Sequence, residues 1–568
     1  MRWRVLLFSA ALAGGVLAQT APVIRVQTDA PGTPLPAVWA YVGHDEPNYT
    51  YTPQGEKLLK ELAALSPVPV HVRVHNLFTS GDGTPALKWG STGAYREDAA
   101  GRPVYNWTIL DRIFDVYVGL KMRPLVEIGF MPEALSTHPE PYQHQFPNGS
   151  IFTGWAYPPR DYGKWADLVE HWVRHEVARY GAATVRTWDW EVWNEPDIGY
   201  WKGTPAEYFK LYDFTVDAVR RALPGARVGG PDSTGPANAH AAAFLRSFLE
   251  HCAHDRNAAT GAIGAPLDFV SFHAKGSPRV VAGQPEMGLQ RQLQSINAGM
   301  EIVKSFPEFR RLPIILGESD PEGCAACSVT DHPEDAYRNS ELYASYTAEA
   351  VARTLELAAR RGMRVAGAVT WAFEFEGNCA APAAASPPAG CLDHPWFAGY
   401  RSLATHGVDK PVLNALRMLG RLSGRVLPVS NPAALPLHDV LEHGIPGTGT
   451  VSAIATRSWH RVNVMVWRYS DDPGVSAPLA LQLQLDGLPA GVLHVLRYRI
   501  DATHSNAFTR WHKLGAPPAP TPAQVAQLEA AGKLQVDGPE RDVHAAAHTL
   551  RLPLTLPGEA LELVEVDW

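Results

Sequence analysis

The stretch Trp188–Gly199, "WDWEVWNEPDIG", decides how the rest of the chain is read. Its first half has the make-up of a buried strand: Trp188, Trp190, Val192 and Trp193 are large and apolar or aromatic. It then stops abruptly on Asn194-Glu195-Pro196-Asp197. An aromatic strand that delivers an amide and a carboxylate side by side, with a proline fixing the turn behind them, reads as a strand aimed at a site.

Seven more runs of the same kind flank it: 37–43, 69–75, 123–130, 226–232, 267–273, 313–318 and 364–373. They are continuous apolar segments of strand length, the pattern of parallel strands covered on both faces. Helical patterns lie between them. In "NWTILDRIFDVYVGL", Leu110, Ile113, Phe114 and Tyr117 share one face. "DYGKWADLVEHWVRHEVARYG" carries Trp165, Leu168, Trp172 and Val173, then ends on Arg179 and Gly181, a helix stop. Similar patterns fill 203–222, 239–253, 287–305, 336–362 and 411–422. About eight strand–helix units predict an α/β fold, a (β/α)8 TIM barrel over residues 36–423. A doubly wound sheet is the rival, but no GxGxxG follows a strand.

From about residue 424 the pattern changes to period-two alternation with turn residues between the runs, which predicts a β-sandwich accessory domain over 424–568. "TPAQVAQLEAAG" is one short helix within it, and strand-like "PVIRVQTDA" in segment 19–35 is expected to join it. Residues 1–18 read as a secretory signal peptide: Arg2 and Arg4, an apolar run through Leu17, and small residues before a cut after Ala18. The expected destination is the periplasm or the medium, with no membrane association after cleavage.

The chain has 568 residues, 19% of them charged, and a formal net charge of −8 with no Lys/Arg-rich run, which argues against a nucleic-acid partner. Of five cysteines, Cys252 stands alone, Cys324 and Cys327 form a CxxC, and Cys379 and Cys391 bracket an Ala/Pro-rich segment. One CxxC without a second pair does not make a zinc site, and the pairing stays open. No metal, nucleotide or flavin site is implied.

Chemistry in such a barrel collects at the C-terminal strand ends. Those ends carry Asp45 and Glu46; Arg73 and His75; Phe130; Asn194 and Glu195; Asp232; His273; Glu318; and Trp371, Glu374 and Glu376. Glu195 closes the fourth strand and Glu318 the seventh, so the two converge across the mouth. Paired carboxyls flanking a bond are what glycoside hydrolysis requires. Glu195 then reads as the proton donor, and Asn194 as a partner for a sugar 2-hydroxyl.

With these motifs the chain resembles glycoside hydrolase family 39. The resemblance is carried by "WEVWNEPD" (190–197), "ILGESDPEG" (315–323), "GHDEPNYTYTPQG" (43–55), "HVRVHN" (71–76), "DFVSFHA" (268–274) and "TWAFEFE" (370–376). It implies a retaining mechanism, with Glu318 as nucleophile and Glu195 as acid and then base, their carboxyls about 5–5.5 Å apart. His273 looks like the strand-six group near both carboxylates. His75, Phe130 and Trp371 look like walls of the sugar subsite. Glu374, Glu376 and Asp45 are candidate hydroxyl ligands. Arg73 either donates to Glu318 or makes an ordinary barrel ion pair.

The expected activity is an exo-acting β-D-xylosidase releasing xylose from xylo-oligosaccharides, since members with the "DEPN" loop often have that specificity. The alternatives are a β-galactosidase, an α-L-arabinopyranosidase, an α-L-iduronidase, an endo-acting exopolysaccharide hydrolase, or a non-catalytic sugar-binding protein. The lack of a basic cluster at the strand ends counts against the iduronide, whose carboxylate calls for Arg or Lys.

Overall fold

The computed structural model describes residues 21–143, 152–375, 395–472 and 477–568. Eight parallel strands form the centre: β1 Tyr41–His44, β2 His71–Val74, β3 Arg123–Ile128, β4 Asp189–Val192, β5 Arg227–Ser233, β6 Phe269–Lys275, β7 Pro313–Asp320 and β8 Arg364–Ala368. They pair in chain order. Thr370–Trp371 continues β8 and pairs in parallel with Val42–Gly43 of β1, which brings the sheet back on itself. A helix follows each strand, from Pro53–Ala63 after β1 to Pro411–Arg421 after β8.

The strands alternate between two environments. On β4, Trp190 faces outward and meets Trp172 of the Tyr162–Tyr180 helix edge-on, with ring centroids 5.6 Å apart. Glu191 points the other way, into the barrel, and is fully buried. The aromatic face of the opening stretch is thus helix-packing surface, and the acidic residue between the tryptophans belongs to the interior. Inside the barrel, Tyr41, Leu125, Phe269, Ile315, Val369 and Trp371 make a small apolar cluster of their own. Further along the strands the interior turns ionic at Arg73, Glu127, Glu191 and Asp232, all fully buried.

Residues 424–568 build two sheets with a second core. Val23–Gln27 lies in one of them, parallel to Leu479–Asp486 and antiparallel to Val429–Ser430. Leu479–Asp486 pairs in turn with Thr549–Leu556. In the other sheet Thr450–Ser458, Arg461–Tyr469, Ala560–Asp567 and Val492–Ile500 run side by side, each antiparallel to the next. Ile24, Val26, Leu483, Val464 and Val564 are buried between the two sheets. The short helix is Pro522–Gly532, started by a reciprocal Thr521/Gln524 cap. Two further short helices, Leu437–His443 and Ala507–Lys513, have no counterpart in the sequence reading. The second core meets the barrel where Trp467 donates to Glu349 at 2.8 Å, on the helix Glu341–Arg361. Among the described residues no helix is long and apolar enough to cross a membrane.

Candidate active site

The floor of the mouth is organised by one buried guanidinium. Arg73 of β2 donates from Nε to Glu191 at 2.7 Å and from Nη2 to Asn194 Oδ1 at 3.2 Å and to Asp232. The same Nη2 lies 2.8 Å from Glu127. Burial works against its charge, but Asp232, Glu127 and Glu191 together hold the Arg73 pKa well above its ordinary value. Its Nη1 is 3.9 Å from Glu318. Of the two readings of Arg73, the barrel ion pair describes its hydrogen bonds, and Glu318 feels it only as a nearby charge.

Glu318 leaves β7 with its side chain 8% exposed. Lys275 Nζ donates to its Oε2 at 2.6 Å and to Asp320 Oδ2 at 2.9 Å. His75 Nε2 lies 3.6 Å from Glu318 Oε1, and His273 Nδ1 3.9 Å from Oε2. Burial alone would raise its pKa. Lys275 first, then His273 and His75, outweigh burial and hold Glu318 well below the carboxylate range. His75 is itself pushed up to about 9: Glu127 foremost, with Glu318 and Asp45, overcomes its desolvation.

Glu195 stands on a left-handed residue, φ 44°, two positions after another, Trp193 at φ 72°. Such backbone costs about 1–3 kcal/mol per residue and persists only where the surroundings impose it. Here its N–H is held by the Asp232 carbonyl at 3.0 Å, and its Oε1 by His273 Nδ1 at 2.8 Å. The other ring nitrogen of His273 lies 2.8 Å from Asp232 Oδ2. Burial disfavours the His273 charge, but Asp232, Glu318 and Glu195 raise its pKa well above the usual value. Both ring nitrogens of His273 thus lie 2.8 Å from a carboxyl oxygen, an arrangement that favours its protonated form. One of those nitrogens reaches both carboxyls of the pair.

Above these groups is a cavity of about 210 Å³. Asp45, Glu195, Glu318 and Trp371 line it, together with Tyr142, Tyr200 and the segment 323–326. Asp45 is tied to Lys88 Nζ at 2.5 Å and to Trp371 Nε1 at 3.3 Å. Lys88, foremost among the groups opposing burial, lowers the Asp45 pKa. Phe130 does not reach the cavity surface; it stacks behind Tyr200 with centroids 5.7 Å apart and planes 3° apart. His75 packs against the Trp371 ring with centroids 4.4 Å apart and planes tilted by 38°, and Asn194 sits on Arg73 beneath the wall. Glu374 is 2% exposed and accepts the Gly407 N–H at 2.5 Å, away from the lining residues. Glu376, Cys379 and Cys391 lie outside the described residues. Cys324 and Cys327 form a disulfide in the cavity wall, and Cys252 is a free, buried thiol.

The strand ends are not free of basic groups, contrary to the expectation from the sequence. The mouth does hold basic groups, since Lys275 and Lys88 both line the cavity. Lys275 escaped the sequence reading because the sixth run was ended at His273, whereas β6 continues to Lys275. The alternation of strand faces puts Lys275 on the same side as His273, a signal that was present. Lys88, Tyr142 and Tyr200 come from loops, where no periodicity marks them.

Comparison with known proteins gives the family of the chain. The family model described as glycosyl hydrolases family 39 matches residues 24–546. A β-xylosidase of Geobacillus stearothermophilus is 27% identical over 496 residues, covering 84% of each chain. An α-L-iduronidase of Mus musculus is 26% identical, covering 98% of this chain and 83% of its own. In fold, a monomeric β-xylosidase from Caulobacter crescentus CB15 superposes with a TM-score of 0.74 at 23% identity, covering 96% of this chain and 99% of its own. A barrel with a carboxyl pair at one mouth, matched to that family model along almost its whole length, leads to one conclusion: the chain belongs to glycosyl hydrolases family 39 and is a retaining glycosyl hydrolase.

Proposed function

We propose that the protein is an exported, exo-acting β-D-xylosidase that works by double displacement. The observation that carries the mechanism is the unlike setting of the two carboxyls around one small cavity. Glu318 is buried and held ionised by Lys275, His273 and His75. Glu195 stands 16% exposed at the wall with one oxygen committed to His273. Glu195 passes its proton to the glycosidic oxygen while Glu318 attacks the anomeric carbon; the C–O bond to the leaving group breaks and a glycosyl ester forms. Glu195, now a carboxylate, takes a proton from water, whose oxygen bonds to the anomeric carbon as the C–O bond to Glu318 breaks, releasing the sugar and restoring the Glu318 carboxylate. Arg73 occupies Asn194 Oδ1, so the amide Nδ2 is the group offered to a sugar 2-hydroxyl. A cavity of this size, walled by Tyr142, Tyr200 and Trp371, suits one terminal ring rather than a continuous polymer. The disulfide accords with the oxidising compartment to which the N-terminal segment points.

Lys275 favours a second reading. A β-D-xyloside and an α-L-iduronide share configuration from C1 to C4 and differ by a carboxylate on C5. Lys275 and Lys88 are cations that such a carboxylate would meet. The test is hydrolysis of an aryl β-D-xyloside beside the matching α-L-iduronide, with wild type and Glu318→Gln. Preferential xyloside turnover, reduced roughly a thousandfold in the variant, supports the proposal. Preference for the iduronide moves the assignment to the second reading. Turnover of neither sinks both.

A further inference from the structure

We propose that Asp232 is a positioning residue for the acid step: through His273 it decides which oxygen of Glu195 carries the proton. The inference rests on the reading of Glu195 as the acid. Asp232, the last residue but one of β5, is left-handed at φ 51° and fully buried. Its Oδ2 accepts from Arg73 and, at 2.8 Å, from His273 Nε2. Its carbonyl accepts the Glu195 N–H at 3.0 Å. Its Oδ1 occupies the space that a side chain at residue 317, beside the nucleophile, would take: a Cβ there would lie 1.8 Å away. Asp232 therefore touches both carboxyl-bearing strand ends without lining the cavity.

The consequence lies in the direction of one hydrogen bond. The groups facing the His273 ring are Asp232 from β5, Glu195 from the end of β4 and Glu318 from β7, all carboxyls. Against Asp232, Nε2 keeps its proton, and with carboxyls also facing Nδ1 the proposal places a second proton there. The Nδ1–H then donates to Glu195 Oε1, which must accept. A proton on the Glu195 carboxyl is confined to Oε2, the oxygen not held by His273. An imidazole free to accept at Nδ1 would instead draw the proton to Oε1, away from the glycosidic oxygen.

The test is Asp232→Asn, close in shape, assayed with a series of aryl glycosides that differ in leaving-group pKa, on whichever sugar the enzyme turns over. Glu195→Ala runs beside it. The proposal expects about a hundredfold loss of kcat/KM for poor leaving groups and less than about threefold for dinitrophenyl, because only the former need the acid. A merely structural role would lower every substrate alike, and that outcome overturns the proposal. If Glu195→Ala shows no leaving-group dependence, the acid assignment itself fails. If Glu195→Ala shows it and Asp232→Asn does not, only the role of Asp232 fails. Should Asp232→Asn not fold, ring-nitrogen NMR of His273 in wild type decides: an imidazolium at pH 7 is expected, and a neutral ring overturns the proposal.

Discussion

Lys275 donates to Glu318 and Asp320 at once, and its charge is the largest of the attractions that keep Glu318 ionised against burial. Removing it with Lys275→Met leaves a buried carboxylate with His273 and His75 nearby and the Arg73 and Arg401 guanidiniums at 3.9 and 4.0 Å, none of them bonded to it as closely as Lys275 is. Lys275 lowers the Glu318 pKa, so its loss raises that pKa, and the acid limb of the kcat/KM profile should move to higher pH. A charge-assisted bond of about 1.5–3 kcal/mol predicts a rate loss of about 10- to 100-fold at neutral pH. An unmoved acid limb would show that Lys275 does not set the ionisation of Glu318. Two nearby histidines make the same point about environment. Burial drives His44 down to about 3, against the pull of the Glu46 carbonyl on its ring. His75 meets burial too, but Glu127, Glu318 and Asp45 drive it to about 9. Both stand at strand ends in the sequence. Only the structure shows which carboxylates each one faces, so their charge states were not legible from the residues alone.

At the scale of elements, the Asp232 side chain reaches from β5 to β7 and fills the space beside residue 317, where glycine alone leaves room for it. A methyl there would meet Asp232 Oδ1 at 1.8 Å, a contact that displaces either the buried Asp232 carboxylate or the strand carrying Glu318. Gly317→Ala should cost about 1–3 kcal/mol of stability, read as a lower unfolding midpoint, and most of the activity. Unchanged stability and rate would mean that Asp232 yields freely. The eight strands themselves were legible because both of their faces are buried, which makes each a continuous apolar run. The eighth run is less regular than it reads. Its pairing with β7 ends at Ala368, and Thr370–Trp371 turns to pair with β1. The expected helix over 336–362 is a 3-10 segment, Pro333–Asn339, followed by the helix Glu341–Arg361, because Ser340 caps the latter afresh. The pair Glu195 and Glu318 was readable from the strand count alone. The wall residues were not, because Lys88, Tyr142 and Tyr200 reach the cavity from connections whose paths no hydrophobic period encodes.

For the whole molecule, the two cores divide the labour. The barrel holds every side chain that lines the cavity, and the sandwich adds none among the described residues. The sandwich instead braces the outer helix layer. Trp467 is fully buried in the barrel's core cluster and donates to Glu349, while Arg421 at the end of the last barrel helix pairs with Glu565 at 2.8 Å. Chain closure strengthens the same joint, since Val23–Gln27 enters the sandwich before the barrel begins. In the proposed function this architecture presents Glu318 as the nucleophile of a double displacement. The most direct test is to treat the enzyme with a 2-deoxy-2-fluoro β-xylosyl fluoride, and with the iduronyl analogue, and to map the labelled peptide by mass spectrometry. A glycosyl ester on Glu318 is the predicted result. A label on another residue, or turnover to a product of inverted anomeric configuration with no label at all, would contradict it.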